Sequence, residues 1–281
     1  MSNFKEEVME MRSQLAKKYG PDEVGEKPLI SIISPNLNNL YFDTIINELK
    51  HGRINHVDFG SFDGSYRLEF DKASLCVLHP TARPLAPIPR EGITVTTNDD
   101  NIEDYFQNYI LDGSLKPNEH YKYSSWIVGI PQDQPLMSKG IPRGTHENQL
   151  ENCVKHFVEK GYSNNHCAIP IGGPESLKRY WWKYENETEK GSSECLRQIM
   201  MYIKDNKLDM HTSWRSWDLF AGLPENLGGM TRLLEYTTEW INAIKKPEQS
   251  EVKPGKLYAE SPGLHIYSHN LDIAKIWANI D

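Results

Sequence analysis

Residues 196–204 and 208–214 read LRQIMMYIK and LDMHTSW, and a short DNK segment lies between them. Both segments have the length and residue types of strands, and a tight polar turn between two such segments predicts a β-hairpin. Cys195 lies ten residues before Asp205, and Arg215 lies ten residues after it. An antiparallel hairpin centred on this turn therefore places the thiol and the guanidinium side by side at its open end.

This predicted proximity bears on the reactivity of Cys195. A neighbouring guanidinium favours the charged thiolate and lowers the pKa of the thiol. The thiolate is the nucleophilic form, and the same guanidinium can hold an anionic group of a substrate. The simpler alternative makes Cys195 a small buried apolar side chain and Arg215 a surface charge, and spacing alone leaves both interpretations open.

The rest of the chain mixes helical and strand patterns. Helical spacing or a helix-ending glycine predicts four helices, over residues 1–20, 103–111, 146–160 and 230–244. Apolar runs predict further strands, over residues 28–34, 65–79, 166–172 and 263–267. A Pro-Gly pair predicts a turn at 253–256. We therefore expect an α+β catalytic domain over 26–281, preceded by a polar helical extension over 1–25.

Composition excludes several classes of function. The 281 residues carry a net charge of −8, which argues against a broad surface for a nucleic acid polymer. No apolar run is long enough for a membrane span, and the charged N-terminus lacks the apolar core of a signal peptide. The four cysteines fit no zinc spacing, so we expect free thiols, a cytoplasmic location and no metal.

The segment after the predicted hairpin carries a recognisable motif. Residues 215–226 read RSWDLFAGLPEN, which resembles the R-S-x-D-x-x-x-G-x-P-x-N signature of the thymidylate synthase and pyrimidine hydroxymethylase superfamily. The spacing from Cys195 to Arg215 equals that of the family, and GLHIY at 263–267 resembles its H-x-Y motif. The strong resemblance spans about residues 195–275, which makes a chance match of motif, spacing and order improbable.

The resemblance implies a fold and a reaction. The fold would be the thymidylate synthase-like α+β fold, a mixed sheet with flanking helices that forms a homodimer through the sheet. In the reaction, Cys195 would add to C6 of a pyrimidine nucleotide, and C5 would then attack the methylene group of methylenetetrahydrofolate. Hydride from the folate would give a methyl group, whereas water would give a hydroxymethyl group, and the sequence leaves these two outcomes open.

Roles follow from the resemblance residue by residue. Arg215 and Ser216 match the pair that binds the 5′-phosphate of the nucleotide. Asp218 matches the aspartate that contacts the pterin ring of the folate. Gly222 lies where the chain of the family passes close to both substrate and cofactor.

Three further assignments lie outside this motif. His265 and Tyr267 match the residues of the family that bind the sugar hydroxyl. Tyr123 matches a tyrosine near the nucleophile, and Glu103 is the candidate for the catalytic glutamate. These assignments complete the predicted site.

Asn226 bears on the choice of base. Its amide can donate to O4 of uracil and accept from N3–H, so one residue can carry much discrimination. The cytosine hydroxymethylases that share this pattern have an aspartate at the matching position, so asparagine favours uracil. The structural alternative makes Asn226 the N-cap of the helix predicted over 230–244.

Departures from the family affect phosphate binding. Residues 162–165 read YSNN where the family has Y-S-R-R, and those arginines reach the substrate phosphate of the partner subunit. Weaker phosphate binding, a different 5′ group or contacts from elsewhere would each fit this loss. The arginines considered for such contacts are Arg53, Arg67, Arg83 and Arg143. The chain ends 14 residues after Tyr267, before the closing segment of many synthases, which slightly favours hydroxymethylation.

Competing functions stay open at this point. The first is transfer of a one-carbon unit to C5 of a uracil nucleotide, with hydroxymethylation of a cytosine nucleotide as its variant. The second is a non-catalytic homologue that binds a nucleotide, which the missing arginine pair makes plausible. The third is a Cys-dependent hydrolase, which would need a histidine base beside Cys195 that spacing does not identify.

Overall fold

The computed structural model describes residues 2–59, 62–88, 95–116, 119, 121–138, 140–181 and 193–280. The strands in these ranges are β1 (Ile30–Ser34), β2 (Arg53–His56), β3 (Tyr66–Glu69), β4 (Ala73–Val77), β5 (Met137–Ser138), β6 (Ile141–Pro142), β7 (Ala168–Pro170), β8 (Leu196–Lys204), β9 (Lys207–Trp214), β10 (Trp217–Asp218), β11 (Lys253–Ser261) and β12 (Leu264–Tyr267). The α-helices are α1 (Ser2–Tyr19), α2 (Leu37–His51), α3 (Asp99–Tyr105), α4 (Gln149–Lys160), α5 (Leu223–Ile244) and α6 (Leu271–Trp277).

The described residues form two sheets of four or more strands and the two-stranded pair β5-β6. The larger sheet has the strand order β1-β4-β11-β9-β8-β7, in which parallel and antiparallel neighbours alternate along part of its width. A smaller sheet has the order β10-β12-β3-β2. Helices α2, α4 and α5 contribute their apolar faces to one continuous core with the strands of the larger sheet. The expected mixture of helices and mixed sheets is confirmed at this level.

The predicted hairpin is present as β8 and β9. These strands pair antiparallel from Lys204 opposite Lys207 to Leu196 opposite Trp214. Asp205 and Asn206 form the two-residue turn, with positive φ angles of 50° and 58°. Such angles are those of a type I′ turn, whose twist suits a hairpin and whose positions Asp and Asn tolerate.

The helices predicted over 146–160 and 230–244 are both present, but each begins at a different residue from the one predicted. The helix predicted over 146–160 begins at Gln149, and the Asn148 side chain caps it by accepting from the Glu151 N–H at 2.9 Å. The helix predicted over 230–244 begins seven residues earlier, at Leu223. Pro224 lies in its first turn, where the missing N–H of proline costs no hydrogen bond.

Two predictions of local structure were wrong, and a third was right about position but not about helix type. The strand predicted over 65–79 is two strands in different sheets, because the polar residues Asp71 and Lys72 lie where the chain crosses from β3 to β4. The turn predicted at 253–256 is the beginning of β11, where a register shift after Pro254 accommodates a residue that lacks an N–H. The helix predicted over 103–111 is present and ends at Leu111 before Asp112 as predicted, although it is α-helical only to Tyr105 and π-helical from Phe106.

The N-terminal helix is joined to the core. As predicted, residues at the N-terminus form a helix that ends before Gly20. Val8, Met11 and Leu15 of α1 are buried and belong to the core cluster that also includes α2 and α6. The division at residue 25 stays a prediction, because it concerns the roles of the two parts.

The remaining expectations concern location. No described helix is both long and apolar enough to cross a membrane. All four cysteines are free thiols, of which Cys76, Cys153 and Cys167 are buried and Cys195 is half-buried. Free thiols suit a reducing compartment, and the cytoplasmic location stays a prediction.

Candidate active site

The open end of the hairpin brings Cys195 and Arg215 together. The register shifts by one residue between Leu196 and Gln198, so that a β-bulge precedes the end of the ladder. Beyond this bulge, the backbone N–H of Arg215 donates to the carbonyl of Cys195 at 2.8 Å. Nη2 of Arg215 lies 3.7 Å from Sγ of Cys195. The juxtaposition predicted from spacing is confirmed.

The Arg215 guanidinium is held by the segment that precedes the nucleophile. Its Nε donates to the carbonyl of Glu194 at 3.0 Å, and Nη2 donates to the carbonyl of Ser193 at 2.8 Å. Nη2 also donates to the hydroxyl of Tyr180. Carbonyl partners fix the guanidinium plane, so this arginine cannot swing away from Cys195 without losing backbone contacts. We refer to Cys195, Arg215, Ser193 and Tyr180 as the thiol cluster.

The protonation of Cys195 differs from the sequence-based prediction. Burial raises the pKa of the Cys195 thiol above its usual value, and this effect is larger than the opposing effect of Arg215. The carboxylate of Glu194 raises the pKa further, whereas Arg197 lowers it. Arg215 lowers the pKa as the sequence predicts, but burial outweighs this effect because the thiol is half-buried rather than solvated.

Tyrosines surround the thiol. The hydroxyl of Tyr123 accepts a hydrogen bond of 3.4 Å from the N–H of Leu196, next to the nucleophile, which agrees with the predicted position of Tyr123. Tyr109 and Tyr121, which the sequence interpretation missed, also lie near enough for the charge of Cys195 to affect them. Burial raises the pKa of all three hydroxyls, so they stay neutral hydrogen-bonding groups at ordinary pH.

Asn226 lies in the first turns of α5 and is bound at both ends of its amide. Oδ1 accepts from Nε1 of Trp217 at 2.9 Å, and Nδ2 donates to the hydroxyl of Tyr105 at 2.8 Å. An indole N–H can only donate, so it fixes which end of the amide is the oxygen. The N-cap alternative for Asn226 was wrong, because the helix already begins at Leu223. We refer to Asn226, Trp217 and Tyr105 as the amide cluster.

Aromatic rings connect the two partners of Asn226. Trp217 stacks on Trp214 with ring centroids 4.5 Å apart, and Trp214 meets the edge of Tyr123 at 5.8 Å. Tyr123 meets Tyr109 at 5.3 Å, and Tyr109 stacks on Tyr105 at 5.3 Å. This series of rings passes beside Cys195, so the amide cluster and the thiol cluster share one wall.

Asp218 and His265 lie side by side in the smaller sheet. They are paired residues of the parallel strands β10 and β12. Oδ1 of Asp218 accepts from the N–H groups of Phe220 and Ala221 at 2.9 and 3.0 Å, which orders the turn before α5. Gly222 ends that turn, and a Cβ there would lie only 3.1 Å from the carbonyl of Asp218.

His265 presents a buried acceptor. Its Nδ1 lies 2.8 Å from the carbonyl of Gly263 and must donate to it, because a carbonyl can only accept. Nε2 then lacks a proton, and it has no hydrogen-bond partner among the described residues. Burial lowers the pKa of His265 to about 4, so the ring is neutral at pH 7. Tyr267 is half-buried beside it, with ring centroids 4.6 Å apart.

Ser216 and Glu103, two further residues of the predicted site, differ in how they lie relative to it. Ser216 is half-buried and follows Arg215 directly, next to the thiol cluster. Glu103 instead binds Nε of Arg232 at 2.7 Å and accepts from Gln107 at 2.9 Å. These bonds lower the pKa of Glu103, which is the opposite of what a proton-holding carboxyl needs. Its catalytic assignment stays a prediction without support from these contacts.

A cavity of about 570 Å³ opens beside the thiol cluster. The side chains that line it include Phe59, Ser176, Tyr180, Ser193, Arg197 and Arg215. Within the described ranges, no three side chains of the types that bind metals converge on one point. The polar side chains that line this cavity carry hydroxyl and guanidinium groups, which suit a small polar organic molecule.

Comparison with known proteins points to one group of relatives. The chain is 29% identical over 128 residues to the "Putative thymidylate synthase" of Methanosarcina mazei, covering 46% of this chain and 50% of that protein. It is 23% identical over 172 residues to the protein of the same name from Methanococcoides burtonii, covering 61% of this chain and 72% of that protein. No protein-family profile matches the chain.

These similarities confirm the resemblance predicted from the sequence motifs, at the distance of a divergent relative. The match to the Methanosarcina barkeri protein is similar, at 29% identity over 94 residues. The chain spans about half the length, or less, of the Methanosarcina relatives it matches. The relatives' name indicates a transferase of nucleotide metabolism, and the specific activity of this chain is a separate question.

Proposed function

We propose that this chain transfers a one-carbon unit, as a methyl or hydroxymethyl group, to C5 of a uracil nucleotide. The observation that carries the proposal is the contact between Sγ of Cys195 and the guanidinium of Arg215, 3.7 Å apart in a site that also holds Asn226. A nucleophile, a cation and an amide of fixed orientation are the groups needed to bind and activate a flat pyrimidine. The similarity to thymidylate synthases supports the same reaction class.

Activation begins at the pyrimidine ring. In the proposed step, Cys195 gives up its proton to solvent water and Sγ forms a bond to C6, while the electron pair of the C5–C6 double bond moves towards C5 and O4. Arg215 lies beside the sulfur and favours the thiolate in this step. The high resting pKa keeps the thiol protonated before substrate binds, which limits side reactions of Cys195.

The amide of Asn226 suits uracil in this orientation. Nδ2 uses one N–H for Tyr105, and Oδ1 uses one lone pair for Trp217. Each end of an amide has two hydrogen-bonding positions, so one donor and one acceptor stay available. The donor fits O4 of uracil, where negative charge develops, and the acceptor fits N3–H.

His265 and Tyr267 would bind the sugar. The unprotonated Nε2 of His265 is a buried acceptor that lacks a partner among the described residues, and a sugar hydroxyl is a suitable donor. Tyr267 contributes a half-buried hydroxyl on the same strand. We include ribose and deoxyribose in the proposal, since both carry a hydroxyl that this pair could bind.

Asp218 and Gly222 fit the folate. Only Oδ1 of Asp218 takes part in the turn, so the carboxylate keeps acceptor capacity for an N–H of the pterin ring. Gly222 lies next to Asp218 and Asn226 without a side chain to block the approach of a ring. When bound, methylenetetrahydrofolate would supply the one-carbon unit, and also a hydride if the product is a methyl group.

We propose a homodimer that forms through the larger sheet. On the sheet face opposite the helices, His211 stacks on Tyr258 with ring centroids 4.3 Å apart, and Tyr202 meets His211 at 5.3 Å. These side chains are half-buried and alternate along the strands with fully buried core residues. A face of partly exposed aromatic side chains suits a self-complementary interface.

Tritium release tests the proposal. Incubation with deoxyuridine 5′-phosphate tritiated at C5, with and without methylenetetrahydrofolate, should release tritium into water. Cys195→Ala should lower the rate by a factor on the order of 10⁴, the scale of losing a nucleophile. Cys76→Ala is the matched control, because Cys76 is a free thiol on another strand. Dihydrofolate formation, followed by absorbance, would separate methylation from hydroxymethylation.

The opposite results would decide against catalysis. If uridine, deoxyuridine and their phosphates all bind but none releases tritium, the chain is a nucleotide-binding homologue without this activity. If Cys195→Ala releases tritium as fast as the unchanged protein, the sulfur is not the nucleophile. Either outcome contradicts the proposed function.

A further inference from the structure

The cavity beside the thiol cluster contains two guanidinium groups. Arg215 was expected there from the sequence, but Arg197 was not. The other polar groups that line the cavity are the side chains of Ser176, Tyr180 and Ser193. Two guanidinium groups with hydroxyl donors around them form a site suited to an oxyanion with several acceptor oxygens.

The β-bulge of strand β8 explains why Arg197 reaches this cavity. The register shift between Leu196 and Gln198 leaves Arg197 as the extra residue of the bulge. Bulges interrupt the alternation of side chains and re-aim one of them, often next to an active site. The same bulge places Cys195 opposite Arg215, so one irregularity positions both the nucleophile and the second guanidinium.

A glycine turn makes room for the Arg197 head group. A Cβ at Gly172 would lie 2.8 Å from Nη1 of Arg197 and 2.9 Å from Oγ of Ser176. Gly172 also has a positive φ of 81°, a conformation that side-chain-bearing residues rarely adopt. Residues 172–173 therefore form an open edge of the cavity beside Arg197.

The guanidinium of Arg197 forms a long ion pair with Glu194 and still has N–H groups available for a ligand. Glu194 is fully buried, and its Oε1 already pairs with Arg179 at 2.6 Å and accepts from Trp126 at 3.1 Å. Nη1 of Arg197 lies 3.7 Å from the other oxygen of Glu194, and the Arg197 side chain donates no hydrogen bond to a residue that the structure describes. Its side chain is 34% exposed, so its N–H groups can reach a ligand.

The arginines considered from sequence are occupied elsewhere. Arg53 pairs with Asp71, Arg67 with Glu69 and Arg83 with Glu235. Arg143 donates to the backbone carbonyls of Lys116 and Glu119. Asn164, in place of one missing family arginine, donates to the carbonyl of Gly161 within its own loop. None of these residues is among those that line the cavity.

We propose that Arg197 and Arg215 together bind the 5′-phosphate of the substrate, so that this subunit supplies two guanidinium groups from its own hairpin. The inference rests on the proposed function, and it deepens it by naming Arg197 as a second residue of this subunit that binds the 5′-phosphate. A phosphate offers enough oxygens for both arginines at once. Arg197 would thus replace contacts that the sequence comparison shows to be missing at Asn164 and Asn165.

Equilibrium binding tests this assignment without requiring turnover. The probes are deoxyuridine 5′-phosphate, deoxyuridine and inorganic phosphate, each titrated calorimetrically at fixed ionic strength. Arg197→Gln should weaken binding of deoxyuridine 5′-phosphate and of inorganic phosphate at least about tenfold, the scale of one charge-assisted hydrogen bond. Binding of deoxyuridine should change less than about twofold, because it lacks the charged group that Arg197 contacts.

Two further variants separate binding from general effects. Arg197→Lys keeps the charge but loses the planar fork, so it should recover part of the phosphate affinity. Lys155→Gln removes one positive charge from an exposed side chain of α4 and should leave all three affinities unchanged. Circular dichroism melting of each variant verifies that the fold is kept.

The results can fail in distinguishable ways. The inference is overturned if the unchanged protein binds neither phosphate-bearing probe. It is also overturned if Arg197→Gln binds both probes as tightly as the unchanged protein binds them. Equal weakening of deoxyuridine and its phosphate would also overturn it, because the effect would then concern the base or the sugar. The proposed function fails separately, through absence of tritium release from a nucleotide that does bind.

Discussion

The thiol cluster and the amide cluster lie along one wall of aromatic rings, yet different kinds of contact hold them. In the thiol cluster, backbone carbonyls of residues 193 and 194 hold Arg215, and strand register places Cys195 opposite it. In the amide cluster, side chains hold Asn226, and one of them, Tyr105, is 121 residues away in sequence. The first arrangement is local to a hairpin, whereas the second exists only after distant elements have packed.

This difference separates two tasks of the proposed site. A reacting group held by the backbone keeps its position when nearby side chains vary, which suits a nucleophile. An amide held by side chains can acquire a different preference through a single substitution, which suits a specificity residue. The comparison therefore predicts that changes in the amide cluster alter the choice of base, whereas changes in the thiol cluster alter reactivity.

Among the variants that test this comparison, Asn226→Asp should have the largest effect, a change of base preference. A carboxylate can accept from both Trp217 and the rotated hydroxyl of Tyr105, so the fold should be kept. It cannot donate to O4 of uracil, and kcat/KM for deoxyuridine 5′-phosphate should fall by a factor on the order of 10³. Relative turnover of deoxycytidine 5′-phosphate should rise. Tritium release from both nucleotides measures this ratio.

A matched substitution checks that charge alone is not responsible. Asn152→Asp makes the same chemical change at an exposed position of α4, and it should leave both rates unchanged. If Asn226→Asp slows both nucleotides equally, the amide does not read the base. The amide cluster would then be a structural contact of α5.

Sequence spacing predicted the Cys195–Arg215 contact of the thiol cluster because strand register in a hairpin follows from the position of its turn. The turn at Asp205 and Asn206 fixes the register, and register fixes which residues face each other. The prediction succeeded partly through compensation, since the turn has two residues rather than three and the bulge at Arg197 restores the offset. Spacing cannot reveal such a bulge, which is why Arg197 was missed.

Contacts between distant elements explain the other failures. Tyr105 and Tyr109 reach the site because α3 and the π-helical turn after it pack against α5, and the hydroxyl of Tyr121 donates to the carbonyl of Ser193. The same packing turns Glu103 towards Arg232 on the outer side of α5. Helix α2 is fully formed and carries buried polar residues such as Glu48, which weaken the apolar pattern that would have predicted it.

The second expected effect concerns the pH dependence of Cys195 in the free protein. Burial raises the pKa of the Cys195 thiol above its usual value, so the thiolate fraction should still be rising with pH where an ordinary thiol is already ionised. The rate of alkylation by iodoacetamide should therefore keep rising from pH 7 to pH 9, rather than level off at about 8.5, the usual pKa of a free thiol. Mass spectrometry of the modified peptide assigns the reaction to Cys195 rather than to the buried thiols.

Arg215→Gln sharpens this measurement. Removing the guanidinium withdraws the effect that opposes burial, so alkylation at pH 8 should be slower than in the unchanged protein. A rate that is constant between pH 7 and pH 9 would mean that Arg215, rather than burial, decides the protonation of the thiol. The thiol cluster would then hold a thiolate at rest, contrary to the structure.

The smallest of the three effects is expected for Trp217→Phe. Phenylalanine can keep the stacking on Trp214 but lacks the N–H that binds Oδ1 of Asn226. The amide could then adopt either orientation, and only one of them presents a donor to O4 and an acceptor to N3–H of uracil. We expect kcat/KM for deoxyuridine 5′-phosphate to fall about tenfold, the scale of one hydrogen bond to a buried group.

Tyr105→Phe is the informative control, because the two partners of Asn226 differ in chemistry. An indole N–H only donates, whereas a phenol hydroxyl both donates and accepts, so only Trp217 can distinguish the two ends of the amide. Tyr105→Phe should therefore slow the reaction while keeping the preference for uracil over cytosine, and Trp217→Phe should reduce that preference. If the two variants relax the preference equally, the amide orientation is set by the pair together, and the indole has no special role in reading the base.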